Sequence, residues 1–283
     1  MKAALHEHLQ TSSKLDDFSF NYAINLAKER LGLECAFGVI DFNDKRYHSF
    51  INLLGYEREF IGEDKRALRV LNLLDNLNII VVHGEEVPTR QGHVLVMGLG
   101  SEQHLKHNRT IEDTIKEAKD LNHNAVIIAD HPFYIEGLGP YLREKRELIH
   151  EFDALELNGE ASFGIPKSPL PYGSNKETLE FYMEIKNNFP NLGLISSQDG
   201  HSFYEFCRGW TDLEKPDLSS AENFSKTFRK AVQNTNESTP SYLSNYIGMI
   251  GAIEHICGLI WILKIAPKIG LGRFYEVERP DNK

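Results

Sequence analysis

Two histidines open the chain in the stretch Ala3-Ala4-Leu5-His6-Glu7-His8. Successive side chains alternate along an extended backbone, so a spacing of two sets both imidazoles on one face. Imidazole is the commonest protein ligand for a metal, and two of them at the end of a buried strand are half of a site. Alone the pair says little, because core and surface histidines share that spacing. Later apolar runs, however, meet the same chemistry. Ile79-Ile80-Val81-Val82 leads into His83-Gly84-Glu85-Glu86, and His93 begins His93-Val94-Leu95-Val96-Met97. Ala125–Ala129 ends at Asp130-His131-Pro132, Ala154-Leu155-Glu156-Leu157 ends at Asn158, and Leu192–Ile195 runs into Ser196-Ser197-Gln198-Asp199-Gly200-His201. A general preference of His and Asp for loops explains one or two such coincidences, not five or six.

The segments between these runs read as helices. Asp16 or Asp17 can cap a helix to about Leu31, with Phe20, Ile24, Ala27 and Leu31 on one stripe and Gly32 as its stop. A strand over Cys35–Ile40 ends at Asp41, and residues 64–76 are predicted helical. Thr110 to Asp113 matches a capping box for a helix carrying Ile111, Ile115, Ala118 and Leu121. Helices are also predicted over about 141–151 and 176–188, the latter capped by Ser174, and after a Ser219/Glu222 capping box for Phe224, Phe228 and Ala231. Strand and helix thus alternate, which points to a parallel α/β architecture whose chemistry sits at the C-terminal ends of its strands.

A chain of 283 residues can bury a sizeable core in one large domain. Its net charge of −10 argues against a stable nucleic-acid partner, although bound cations would let a phosphorylated small molecule approach. Cys35, Cys207 and Cys257 are far apart with no CxxC, so neither a disulfide framework nor a zinc ribbon is expected. No secretory signal is recognised, which makes a cytoplasmic enzyme the default expectation. The polar segment 233–241 reads as a linker, dividing the chain into 1–235 and a C-terminal extension, 236–283. Within that extension 246–266 is strongly apolar, but Glu254, His255 and Lys264 would be costly at bilayer depth. A buried C-terminal apolar helix or a homo-oligomer contact through 244–266 is the expectation.

Taken in order, LHEH, GEEVPTRQGHVLVMGL, AVIIADHP, DALELNG and SSQDGHS resemble the motif series of the PHP (polymerase and histidinol phosphatase) family of metal-dependent phosphoesterases. The resemblance covers about residues 3–232 and implies a distorted (β/α)7 barrel. It further implies that His6, His8, Glu86 and Asp199 surround one metal, and that Glu86 bridges to a second held by His93 and His131. Glu86 is chosen over Glu85 because the family glutamate stands two residues after the glycine, here Gly84; Glu85 would project to the other face. Asp130 is read as a loop or capping residue, and Glu156 as a support for the ligands, with direct ligation as the alternative. The chain departs from the family at the third metal: Phe42 replaces a histidine, and Ser13-Lys14 stand where another ligand falls. Two divalent ions (manganese, zinc or iron) are therefore expected and a trinuclear centre is not. The Lys14 ammonium either takes the third cation's place or is solvated, and His48 is a weak candidate replacement ligand.

The chemistry implied is hydrolysis of a phosphate ester of a small metabolite or nucleotide, with water activated by a metal pair and phosphoryl charge stabilised in the transition state. His201 would act as general acid beside Asp199, and Arg208 and Arg90 are candidates to bind phosphate. Two other readings stay open: a non-phosphate hydrolase resembling the amidohydrolases, which also begin with His-x-His, and a non-catalytic binding or regulatory domain. Substrate choice would rest with loops at 43–63, 100–110, 132–140 and 160–175.

Overall fold

The structure is a computed structural model and describes residues 1–8, 17–42, 46–51, 56–72, 74, 76–134, 136–158, 174–200 and 205–240. Seven strands follow one another around a nearly closed, barrel-like sheet. They are β1 (Lys2–Ala4), β2 (Glu34–Asp41), β5 (Leu77–Pro88), β6 (His93–Met97), β7 (Val126–Ala129), β8 (Ala154–Asn158) and β9 (Gly193–Ser197). The strands β3 (Glu57–Ile61), β4 (Ala67–Asn72) and β10 (Thr211–Asp212) are appended to this ring. The upper part of the ring closes between the chain after β1 and the end of β9. There Glu7 bridges Gly200 in parallel, Asp199 N donates to His6 O at 3.0 Å and His8 N to Gly200 O at 3.0 Å. Lower down, β10 lies antiparallel on β1, and Thr211 Oγ1 accepts from Ser196 N at 2.6 Å.

The ring is parallel except at β6, which pairs antiparallel with both β5 and β7. A tight turn over Thr89–Gly92, with Gly92 at φ +143, makes β5 and β6 a hairpin. Reversing β6 brings its first residue, His93, to the same mouth as the last residues of the parallel strands.

Period-two alternation divides the side chains. Ile80 and Val82 of β5, Leu95 and Met97 of β6, Val126 and Ile128 of β7, Ala154 of β8 and Ile195 of β9 share one apolar core inside the ring. Their neighbours Ile79, Val81, Val94, Val96, Ile127, Leu155 and Leu194 face outward under the helices. Helix α1 (Asp17–Leu31) covers β2 through Phe20, Ile24, Ala27 and Leu31, all buried, and Gly32 ends it at φ +109, as its sequence predicts. A short α2 (Arg46–Ile51) follows β2. Helix α3 (Ile111–Leu121) begins at Thr110, whose hydroxyl accepts from Asp113 N, the expected cap. Helix α4 (Gly139–Glu144) and a 3-10 turn (Arg146–Glu151) stand where one helix was expected. Helix α5 (Ser174–Ile185) covers β8, and α6 (Ala221–Gln233) turns Phe224, Phe228 and Val232 into the inner core. The α6 cap is Ser220, accepting from Asn223 N, rather than Ser219.

Two expectations need correction. Residues 64–76 are not helical: β4 occupies 67–72, antiparallel to both β3 and β5. Strand β5, at 12 residues, is far longer than its apolar run and offers β4 a partner along its first half. The helical reading failed because β3, which completes that pairing, is an edge strand whose charged residues Glu57, Arg58 and Glu59 disguise it. The segment after α6 is also no free linker as far as it is described, to Pro240. Thr235 Oγ1 accepts from Leu194 N at 2.9 Å, and Pro240 bridges Thr211. The apolar run 246–266 lies outside the described residues; among those described, no helix is long and apolar enough to cross a membrane.

The chain after β1 packs closely on β2 at Gly38, where an added Cβ would lie 2.0 Å from Leu5 O and 2.8 Å from Met97 Cε. Gly38→Ala is expected to cost about 2 kcal/mol or more in urea unfolding, since backbone cannot yield as a side chain does. An unchanged midpoint would contradict this packing.

Candidate metal centre

Alternation continues past the strand ends and decides which polar groups meet. Carried on from the inward apolar residues, it turns Glu86, His93, Asp130, Glu156, Asn158 and Asp199 toward the ring's axis at the mouth. His6 and His8 arrive from the segment after β1, and His131 joins them at φ +26, Asp199 at φ +55. Two left-handed residues in one small site are local strain held by its surroundings.

The contacts fall into two groups that share Glu86. His6 Nε2 and His8 Nε2 are 3.1 Å apart; His8 Nε2 is 3.0 Å from Glu86 Oε2 and 3.2 Å from Asp199 Oδ1. His6 Nε2 lies 3.4 Å from Asp199 Oδ1 and 4.0 Å from Glu86 Oε2. On the other side, Glu86 Oε1 is 2.5 Å from His93 Nδ1 and 3.8 Å from His131 Nε2. Ligands about 2.1 Å from one tetrahedral ion stand about 3.4 Å from each other; the first set has about this spacing, while in the second Glu86 and His93 are in direct hydrogen-bond contact. Three sets offer donors close enough for one metal ion: His6, His8 and Glu86; Glu86, His93, Asp130 and His131; and His6, Asp130 and Glu156.

Behind the first group, His6 Nδ1 is 3.0 Å from Glu156 Oε1 in hydrogen-bond geometry, which fixes the ring with Nε2 turned to the mouth. Glu156 is itself held by the Ser197 hydroxyl, by His131 N at 3.1 Å and by Asn158 Nδ2 at 3.3 Å. The second Asn158 contact, 3.2 Å to Asp199 Oδ2, ties the carboxylates together. Glu156 therefore orients His6, the supporting role its position suggested.

Electrostatics strengthen the case. Glu86, Asp130, Glu156 and Asp199 are all buried, beside buried His6, His8 and His131 and the nearly buried His93. Protons cannot neutralise all four carboxylates through the imidazoles, because two Nε2 atoms 3.1 Å apart can share at most one proton. Without cations the site nevertheless draws protons in. Burial opposes charge on His6, but Asp199, Asp130 and Glu156 raise its pKa well above the ordinary value. Burial likewise opposes charge on His131, which the Asp130 charge and the Glu86 hydrogen bond lift to about 10. Burial works against ionisation of Glu86 too, yet hydrogen bonds from His131, His8 and His93 hold it well below the carboxylate range.

Of the residues the sequence singled out, His6, His8, Glu86, His93, His131 and Asp199 come together. His201 and Lys14 lie outside the described residues. Arg90 sits exposed in the β5–β6 turn and donates to Asn108 O at 3.2 Å, while Arg208 closes a turn with Glu205 O. His48 is 2.5 Å from Glu102 and belongs to neither group. Asp130 lies in the loop just past β7, one of the two expectations for it, but caps no helix: it is wholly buried in the cluster, where period two from Val126 and Ile128 would have placed it. Sequence reasoning also missed a layer outside the ring. Glu85 Oε1 faces His107 at 3.9 Å and His104 at 4.0 Å, and His83 pairs with Asp41 at 3.1 Å. Glu85 thus turns away from Glu86, as expected. No protein-family model matches the chain, and no curated protein matches it.

Two outcomes are expected. Glu86→Ala should weaken binding of Zn²⁺ or Mn²⁺ at least about 100-fold, read by metal content after dialysis, because it removes the donor common to both groups. Retained stoichiometry would contradict a shared carboxylate. Metal uptake at pH 7 should release protons, since the raised pKa values of His6 and His131 leave them protonated there and ligands must shed protons to bind. Calorimetry in buffers of different ionisation enthalpy reads this; identical heats in all of them would refute it.

Proposed function

We propose that the chain is a metal-dependent phosphoesterase that hydrolyses a phosphate ester of a small metabolite or nucleotide at a dinuclear centre. The observation that carries this reading is the placement of Glu86, one oxygen toward His8 and the other toward His93 and His131. A carboxylate shared between two imidazole groups suits two cations a few ångströms apart, the arrangement that clamps both oxygens of an in-line displacement. The order of the strand-end motifs and the seven-stranded ring support membership of the PHP family and its barrel type.

The donors fit divalent manganese, zinc or iron: buried nitrogen and oxygen ligands, four carboxylates gathered around them, and His6 held by Glu156. When bound, such ions supply Lewis-acid activation of water and neutralise phosphoryl charge. The chain's own residues do the rest. His6, His8, His93 and His131 present nitrogen without adding negative charge, which keeps the site open to an anion despite the chain's net −10. Asn158 holds Asp199 at a fixed angle. His201, two residues beyond Asp199 and with Phe42 standing where the family places a third-metal histidine, is assigned the general acid that protonates the leaving oxygen. Arg208, Arg90 and Lys14 are assigned phosphate contacts, and the loops at 43–63, 100–110, 132–140 and 160–175 the choice of substrate.

With Mn²⁺, Zn²⁺ or Fe²⁺ supplied, the protein is expected to release phosphate from p-nitrophenyl phosphate or from nucleotides, and chelation should abolish the reaction. Asp199→Ala should lower kcat at least about 10³-fold, a loss of about 4 kcal/mol in transition-state stabilisation. A protein loaded with metal that hydrolyses none of a broad set of phosphate esters would contradict this function.

A further inference from the structure

The dinuclear reading leaves one buried charge unexplained. Asp130 has no solvent exposure, and neither of its oxygens meets hydrogen-bond geometry with any group among the described residues. A buried carboxyl is tolerated only if it is protonated or meets a positive charge. His6 is the obvious partner, since its Nδ1 is 3.2 Å from Asp130 Oδ1. That nitrogen, however, carries one proton, and the proton is directed to Glu156 Oε1 at 3.0 Å. Glu156 has other donors in Ser197, Asn158 and the His131 backbone; Asp130 has none of them. The other oxygen, Oδ2, lies 3.3 Å from His131 Nε2, the nitrogen that also faces Glu86 Oε1 at 3.8 Å.

Resting on the dinuclear reading, we infer that Asp130 is a direct ligand of the second metal position, completing a set with His93, His131 and Glu86. All four offer donor atoms within 4.8 Å of one another. Period two supplies the reason: Val126, Ile128 and Asp130 lie on the inward face of β7 and its extension, so the carboxylate enters the site from the barrel floor. His131, at φ +26, comes in from the rim. The two positions are then matched, each with two imidazoles, one carboxylate of its own and a share of Glu86. With Glu156 behind His6, the four carboxylates match the charge of two divalent cations.

The test is metal stoichiometry by mass spectrometry, with Co²⁺ visible absorption as a second readout and circular dichroism to verify folding. The wild type should bind two ions and His8→Ala one, in the second position. In the His8→Ala background, Asp130→Asn or Asp130→Ala should reduce the affinity of that remaining ion at least 100-fold and change its Co²⁺ spectrum. Glu156→Gln in the same background should leave it bound. If the Asp130 variants keep the ion at unchanged affinity, or behave as Glu156→Gln does, Asp130 merely orients and the inference is overturned. A wild type that binds no ion would overturn the dinuclear reading itself, a different failure. Asp130→Asn preserves volume, so a fold lost only in Asp130→Ala still leaves a decisive variant.

Discussion

The arrangement of this molecule turns on one contact: two imidazole nitrogens, those of His6 and His8, 3.1 Å apart inside a ring of four buried carboxylates. Both nitrogens cannot be protonated there, so the imidazoles alone cannot balance the negative charge around them. Burial makes the imbalance expensive, because the desolvation cost of each uncompensated ion is several kcal/mol. Divalent cations bound where nitrogen and oxygen donors already converge would offset it. The groups that set the geometry, Glu156 behind His6 and Asn158 between Glu156 and Asp199, have their own hydrogen bonds in place. The site is thus organised by the chain before any ion arrives, which reduces reorganisation on binding.

The barrel achieves this convergence by ordinary means. Each inward apolar residue low in a strand implies an inward polar residue two or four positions on, at the mouth. One reversed strand, β6, contributes the start of its run instead of its end. Stability and chemistry are separated along the axis: α6 fills the opposite end with Phe224, Phe228 and Val232, and Arg229 pairs there with Asp153 at 2.8 Å. The same alternation sorts the adjacent glutamates, Glu86 to the mouth and Glu85 to a second polar layer with His104 and His107.

Much of this was legible in the sequence. Apolar runs such as Val126–Ala129 and His93–Met97 show their strands directly because burial on both faces leaves no other pattern. Thr110 and Gly32 announce helix ends through local chemistry that tertiary structure did not override. The ligand set was legible only as an ordered series of motifs, since nothing local says that His6 and Asp199 will be neighbours. Three things were hidden. Strand β4 resembles a helix in isolation because its identity depends on pairing with β3 and β5. The cap of α6 shifted by one residue because Ser219 and Ser220 offer the same hydroxyl. Asp130 reads locally as a loop residue beside His131, and only its parity with Val126 and Ile128 turns it inward.

The central claim, two cations sharing Glu86, is tested most directly by anomalous diffraction from crystals grown with manganese. The account expects two peaks about 3.5–4 Å apart, one on each side of the Glu86 carboxylate. No peak at the mouth, or peaks remote from Glu86, would contradict it.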